Sequence, residues 1–135
     1  MKKRIGNDSQ MVKKLGQSLA EELKERGVSE EVVFDIYVGF EEALRNAIVH
    51  GNKQDPDKMV TVETDIQDEK VIITIEDEGE GFDPASLPDP TLDENLLKES
   101  GRGVYLINHL MDEVTYQRGG KKVRMVKYFE KNTCK

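Results

Sequence analysis

The stretch EEALRNAIVHG, residues 41–51, carries the reading of this chain. Glu42 and Asn46 stand at i and i+4, and Asn46 and His50 repeat that spacing. At ~100° per residue, all three stack on one face of a helix. Ser29 is a good N-cap, and acidic Glu30 and Glu31 follow it, so the helix is expected to start there. Its apolar stripe is Val33, Ile36, Phe40, Leu44 and Ala47. Asp35, Glu42 and Asn46 fall together roughly opposite that stripe, and Gly51 is expected to close the helix. A row of carboxylate, amide and imidazole is ordinarily a solvated face. Whether it is a reaction site depends on what the rest of the chain brings to it.

Upstream, Val12, Leu15, Leu19 and Leu23 predict an amphipathic helix, with capping residues Asn7 to Ser9 before it and Gly27 after it. Downstream, residues 52–58 read as a loop. MVTVETDI and KVIITIED then alternate as two strands around the turn QDE. In the second strand Val71, Ile73, Ile75 and Asp77 share one face by the period of two. A carboxylate at the end of a core-directed row needs a partner. Residues 78–101 lack periodicity and hold glycines, prolines and acids, and a loop of that length is usually functional. GRGVYLINHLMDE reads as a helix with Gly101 and Gly103 at its entrance, and a hairpin around Gly119–Gly120 closes the chain. The order predicts an α+β fold with helices packed on one face of a largely antiparallel sheet.

The 135 residues suit a single domain, 1–135, with a modest core. A formal charge of −7 disfavours nucleic acid, which needs clustered Lys and Arg. One cysteine, Cys134, excludes a disulfide within the chain, so a reducing cytoplasm is the expected location and an inert surface thiol the expected role. The basic start MKKRIGNDSQ lacks the apolar run of a signal peptide. No apolar run is long enough to span a bilayer, so no membrane partner is expected.

Each polar feature alone has an ordinary explanation: surface residues, a helix cap, a turn, a tight helix entrance. Together they describe a site for a phosphorylated ligand. A glycine pair opening a helix exposes N–H groups to an anion, commonly phosphate. Mg²⁺ takes an oxygen-rich site with few protein ligands, and Asn46 is a suitable neutral oxygen. Glu42, one turn away, can orient a hydroxyl or accept its proton. Asp77 can accept a hydrogen bond from a base amino group, and the glycines after it permit close approach.

EEALRNAIVHG, DEGEGFDP and SGRGVYLINHLMDEV resemble, in order and spacing, the N, G1 and G2 boxes of the GHKL ATPase superfamily. Within it the chain is most similar to the bacterial anti-sigma-factor serine/threonine kinases, from about Asp8 onward. The resemblance implies the Bergerat (histidine-kinase-like ATPase) fold, a two-layer sandwich of helices on a largely antiparallel mixed β-sheet. It implies that Asn46 binds Mg²⁺, Glu42 is the catalytic base and Asp77 holds the adenine amino group. Gly79 and Gly81 become the G1 glycines, and Gly101, Arg102 and Gly103 border the phosphates. Residues 82–100 become the ATP lid. The implied partners are ATP, a STAS-domain anti-anti-sigma protein and a sigma factor. In this family an arginine near the γ-phosphate stands two residues before the first G2 glycine. Here that position is Glu99, with Lys98 and Arg102 the nearby cations. The family's homodimer uses an N-terminal strand, for which this chain offers only MKKRI. Two competing readings are an ATP-binding module without phosphotransfer and a histidine kinase catalytic domain cut from a longer chain. Against the latter, the only histidines, His50 and His109, lie within the boxes.

Overall fold

The computed structural model describes residues 1–52, 55–79 and 106–129, without the side chains of Ser9 and His50. Strands β1 (Lys2–Ile5), β2 (Val60–Ile66), β3 (Lys70–Glu76), β4 (Glu113–Gln117) and β5 (Lys122–Tyr128) form one sheet. Its order is β1-β2-β3-β5-β4. Helices α1 (Ser9–Glu25) and α2 (Glu30–Arg45) pack on each other, and α2 lies on β3. Residues 106–110 are also helical. Gly81, the expected lid, Gly101, Arg102, Gly103 and Cys134 lie outside the described residues.

The α+β class and the helix-on-sheet layering agree with the sequence reading. One detail differs. All four strand pairings among the described residues are antiparallel, so the parallel pair of a mixed sheet is not among them. Two of those pairings are hairpins, which join antiparallel strands by construction. In the first, Gln67 N–H donates to Lys70 O at 2.8 Å and sets the register Ile66↔Val71. The second turns through Arg118–Gly120, all three at positive φ. The segment MKKRI does form a strand, four residues long, at the sheet edge beside β2. Lys2, Lys3 and Arg4 give that edge the positive charge that discourages uncontrolled pairing.

The caps are local chemistry. Asp8, within the expected capping cluster, accepts from Gln10 N–H at 2.9 Å and starts α1. Gly27, at φ 87, ends it. The bonds Val28 N–H to Leu23 O (3.1 Å) and Gly27 N–H to Lys24 O (3.0 Å) form a Schellman motif. Ser29 Oγ accepts from Val32 N–H and starts α2. The core is the two helical stripes against the sheet: Leu15, Leu19 and Leu23; Val33, Ile36, Phe40, Leu44 and Ala47; Val60, Val62, Val71, Ile73 and Ile75. Val12 is only partly buried, because it sits at the open end of the α1–α2 seam.

The helix end departs from expectation. The α-helix stops at Arg45, and Asn46–Gly51 continue as a π-helical turn. Asn52 N–H donates to Ala47 O at 2.8 Å, the i→i−5 bond of that geometry. Gly51 is not among the glycines at positive φ, so it is no left-handed cap; its reason is steric and lies at the site.

Adjacent positions on α2 should respond very differently to alanine. Phe40 is fully buried, and Phe40→Ala should cost ~3–5 kcal/mol in urea unfolding. A Cβ on Gly39 would meet only the tip of Met111, 2.6 Å from Cε. That thioether can move, and alanine gains about 1 kcal/mol in helix propensity. Gly39→Ala should therefore stay within about 1 kcal/mol of wild type. A loss as large as that of Phe40→Ala would show that Met111 is locked.

Candidate functional site

The period-two face of β3 does carry Asp77 inward. Its residue is 7% exposed, against Val71, Ile73 and Ile75 at 0–1%. Asp77 N–H donates to Lys121 O at 2.9 Å, and Oδ1 accepts from Gly79 N–H at 2.8 Å. Burial pushes the carboxyl above its ordinary 3.8; the Gly79 bond, Lys121 and Lys58 pull the other way, and Glu76 adds to the rise.

The end of α2 lies directly against this turn. A Cβ on Gly51 would stand 2.3 Å from Asp77 Oδ2, and one on Gly79 would stand 1.8 Å from the Gly51 carbonyl oxygen. Only glycine fits either position: at Gly51 the Asp77 carboxylate fills the space, and at Gly79 the Gly51 backbone does. This explains Gly51, which the sequence reading had treated as a helix stop. Gly79, one of the expected site glycines, is brought to Asp77 and Gly51 as a structural necessity.

Asn46 opens the π turn. Its Oδ1 is buried and has no hydrogen-bond partner among the described residues. A buried acceptor left unpaired costs ~1–3 kcal/mol, so such an oxygen is ordinarily satisfied by water or by a ligand. π turns are likewise concentrated at functional sites. A hard cation fits this oxygen by its chemistry. Among the described residues no group of three or more His, Cys, Asp or Glu could hold a metal. A bound Mg²⁺ would therefore draw most of its ligands from substrate and water, as it commonly does.

Glu42 sits one turn earlier, ~6 Å along the axis. Its side chain is only 12% exposed, so it is not on a solvated face. Arg45 donates to its Oε1. It lines an open groove of about 550 Å³ between the start of α1 and the second half of α2, with Lys13, Glu41, Arg45, Ile48 and Val49. Glu42 and Asn46 thus share a helix end, and Asp77 with Gly79 packs against the next turn of it. The His50 side chain, Gly81, Gly101, Arg102 and Gly103 lie outside the described residues.

Sequence reasoning missed Asn52. It reads as the first residue of a loop, yet it is 3% exposed. Its Oδ1 accepts from Glu78 N–H at 2.8 Å and its Nδ2 donates to Met59 O at 3.1 Å. The one local hint was an amide directly after a helix-ending glycine, which is too common to single out.

The Asp77 environment predicts a pH effect. A carboxyl that holds its proton more tightly folded than unfolded contributes stability below its ordinary value of 3.8 and loses it as pH rises through the raised value. Relative to Asp77→Asn, wild type without ligand should lose thermal stability as pH rises from 3.8 toward neutrality. Parallel melting curves for the two across that window would show that the carboxylate stays hydrated.

Residues 6–127, which include Glu42, Asn46, Asp77 and Gly79, match the histidine kinase-like ATPase domain family. Serine-protein kinase RsbW of Staphylococcus epidermidis is 35% identical over 113 residues, covering 78% of this chain and 71% of that protein. Serine-protein kinase RsbW of Staphylococcus aureus strain JH9 is 29% identical over 136 residues, covering 95% of this chain and 86% of that protein. With a fold of helices on an antiparallel sheet and an inward carboxylate beside a glycine-lined helix end, the chain belongs to the histidine kinase-like ATPase domain family, in its group of bacterial anti-sigma-factor serine-protein kinases.

Proposed function

We propose that this chain is a single-domain, ATP-dependent serine/threonine protein kinase of the anti-sigma-factor type. It binds Mg²⁺ and ATP, phosphorylates a Ser or Thr of a STAS-domain anti-anti-sigma partner, and regulates a sigma factor by partner switching in the cytoplasm. The observation that carries the reading is the buried Oδ1 of Asn46, which has no partner among the described residues. It is an oxygen placed for a ligand, on the helix end against which the desolvated Asp77 carboxylate packs.

The roles follow from chemistry. Asp77 accepts a hydrogen bond from the adenine amino group, and Gly79 lets the Gly51 backbone close against the turn that carries it. Asn46 offers its oxygen to Mg²⁺. When bound, that ion supplies charge neutralisation on the phosphate oxygens. Glu42 orients the partner's hydroxyl and takes its proton late in transfer, as the new oxygen–phosphorus bond forms and the bond to ADP breaks. Gly81, Gly101, Arg102 and Gly103 retain the phosphate-side roles that the sequence resemblance implies. Arg45 keeps the Glu42 carboxylate in one orientation, and the groove gives a partner segment access to it. Among the described residues no helix is long and apolar enough to cross a membrane. A homodimer formed by pairing two copies of β1 is disfavoured, since it would bring together Lys2, Lys3 and Arg4 of both; a homodimer by another face is compatible with the reading.

Glu42→Gln separates kinase from binding module. With a STAS-domain protein that demonstrably binds, it should leave Mg²⁺·ATP affinity nearly unchanged and slow transfer by roughly 10²–10⁴. Asn46→Ala should weaken both affinity and transfer. Calorimetry showing no nucleotide binding by wild type would overturn the proposal. Nucleotide binding without transfer by wild type would leave an ATP-binding switch instead. Full-rate transfer by Glu42→Gln would remove Glu42 from the chemistry.

A further inference from the structure

Asn52 is the least exposed polar residue described, and four of its polar groups are engaged. Its N–H donates to Ala47 O, and its carbonyl accepts from Asp55 N–H at 3.0 Å. Its Nδ2 donates to Met59 O, at the threshold of β2. Its Oδ1 accepts from Glu78 N–H at 2.8 Å, across 26 positions of sequence.

The last bond reaches Asp77 through the covalent chain. The Glu78 N–H and the Asp77 carbonyl belong to one planar peptide unit. A bond that fixes this N–H fixes the plane, and with it the ψ angle of Asp77. From the other side, Asp77 N–H is held by Lys121 O. The Asp77 carboxylate is thus clamped at its backbone on both flanks and at Oδ1 by Gly79. Glu78 itself has an exposed side chain, which accepts from Met59 N–H at 2.7 Å and meets Arg4 at 3.0 Å. Met59 is therefore tied to the same turn through both its carbonyl and its N–H.

We propose that Asn52 is a positioning residue for base recognition. By holding the Asp77–Glu78 peptide, it aims the Asp77 carboxylate at an exocyclic amino group and so sets the preference for adenine over a purine that lacks one. This rests on the adenine-reading role proposed for Asp77. The side chain must be an amide. Aspartate would accept from Glu78 N–H, but it would turn an oxygen toward Met59 O and place a second carboxylate beside Asp77. Alanine would release both the turn and the start of β2.

The test compares ATP with inosine triphosphate, which carries an oxygen where ATP has the amino group. Dissociation constants are measured for wild type, Asn52→Ala, Asp77→Asn and the double variant, each shown folded by its thermal melt. Wild type should prefer ATP. Asn52→Ala should keep its inosine triphosphate affinity and lose ATP affinity about tenfold, the scale of one misdirected hydrogen bond to a charged group. In the Asp77→Asn background the same change should remove little further preference, because both act through one contact. Equal weakening of both nucleotides, or an unchanged ratio, would overturn the positioning role and assign Asn52 to the fold alone. A wild type that binds both nucleotides equally would instead overturn the adenine reading of Asp77, and the inference with it. If Asn52→Ala does not fold, amide exchange in wild type decides. The Glu78 N–H should exchange as slowly as strand amides despite its exposed side chain, and a fast Glu78 amide would refute the clamp.

Discussion

Gly51 and Gly79 meet at a distance that admits no side chain on Gly79, and the Asp77 carboxylate leaves no room for one on Gly51. With a Cβ on Gly79 only 1.8 Å from the Gly51 carbonyl oxygen, the helix end and the turn after β3 are in backbone contact. Much else at this end of the molecule depends on that approach. The π turn carries the chain from α2 to the contact and leaves Asn46 at its start. The closeness of the two backbones excludes water from Asp77, which raises the cost of its charge. It also brings Asn52 within reach of Glu78, so the contact is held by a hydrogen bond as well as by shape.

The molecule is consequently divided in its energetics. Between helices and sheet, apolar side chains alternate and fill, and Phe40, Leu44, Ile73 and Val62 are fully buried. At the helix end two polar groups stand at a disadvantage: an amide oxygen without a partner and a carboxylate pressed into a nearly dry turn. An unpaired buried oxygen costs on the order of 1–3 kcal/mol, against a total stability of about 5–15 kcal/mol for an ordinary domain, and the buried carboxylate adds to that cost. The core tolerates that deficit. A ligand that satisfied both groups would convert it into affinity, since whatever binds only the folded state also stabilises it. Departures from local rules are expected to gather at functional sites, and here they gather on one helix end.

Glu42 adds the electrostatic side of the same design. Its carboxylate is mostly covered and pairs with Arg45, so its direction is settled before any partner arrives. In the proposed role, a group pre-oriented in this way would lose less entropy at the moment of reaction than a side chain ordered by the substrate. The groove beside it is walled by both helices, so α1 lines the candidate site as well as the core.

The sequence by itself determined the elements and their faces. A stripe at helical spacing from Val33 to Ala47 is buried as read, and the period of two in β3 led to an inward Asp77. Ser29, Gly27 and the Gly119–Gly120 turn act where their chemistry put them, because caps and turns are satisfied by neighbours in the chain. Two of the four strand pairings, β2–β3 and β4–β5, were legible as hairpins, although the expected mixed sheet is antiparallel throughout its described pairings. The candidate site residues Glu42, Asn46 and Asp77 were legible as types at a spacing. That Asn46 lacks a partner, that Gly51 is a point of close approach, and that Asn52 grips the Asp77–Glu78 peptide were decided only by the tertiary structure. Periodicity records which side of an element is buried. It holds no record of which backbone that side will touch, because Asp77 and Gly79, which meet Gly51, and Glu78, which meets Asn52, lie more than a strand away along the chain and reach them only when the sheet and the helices have packed.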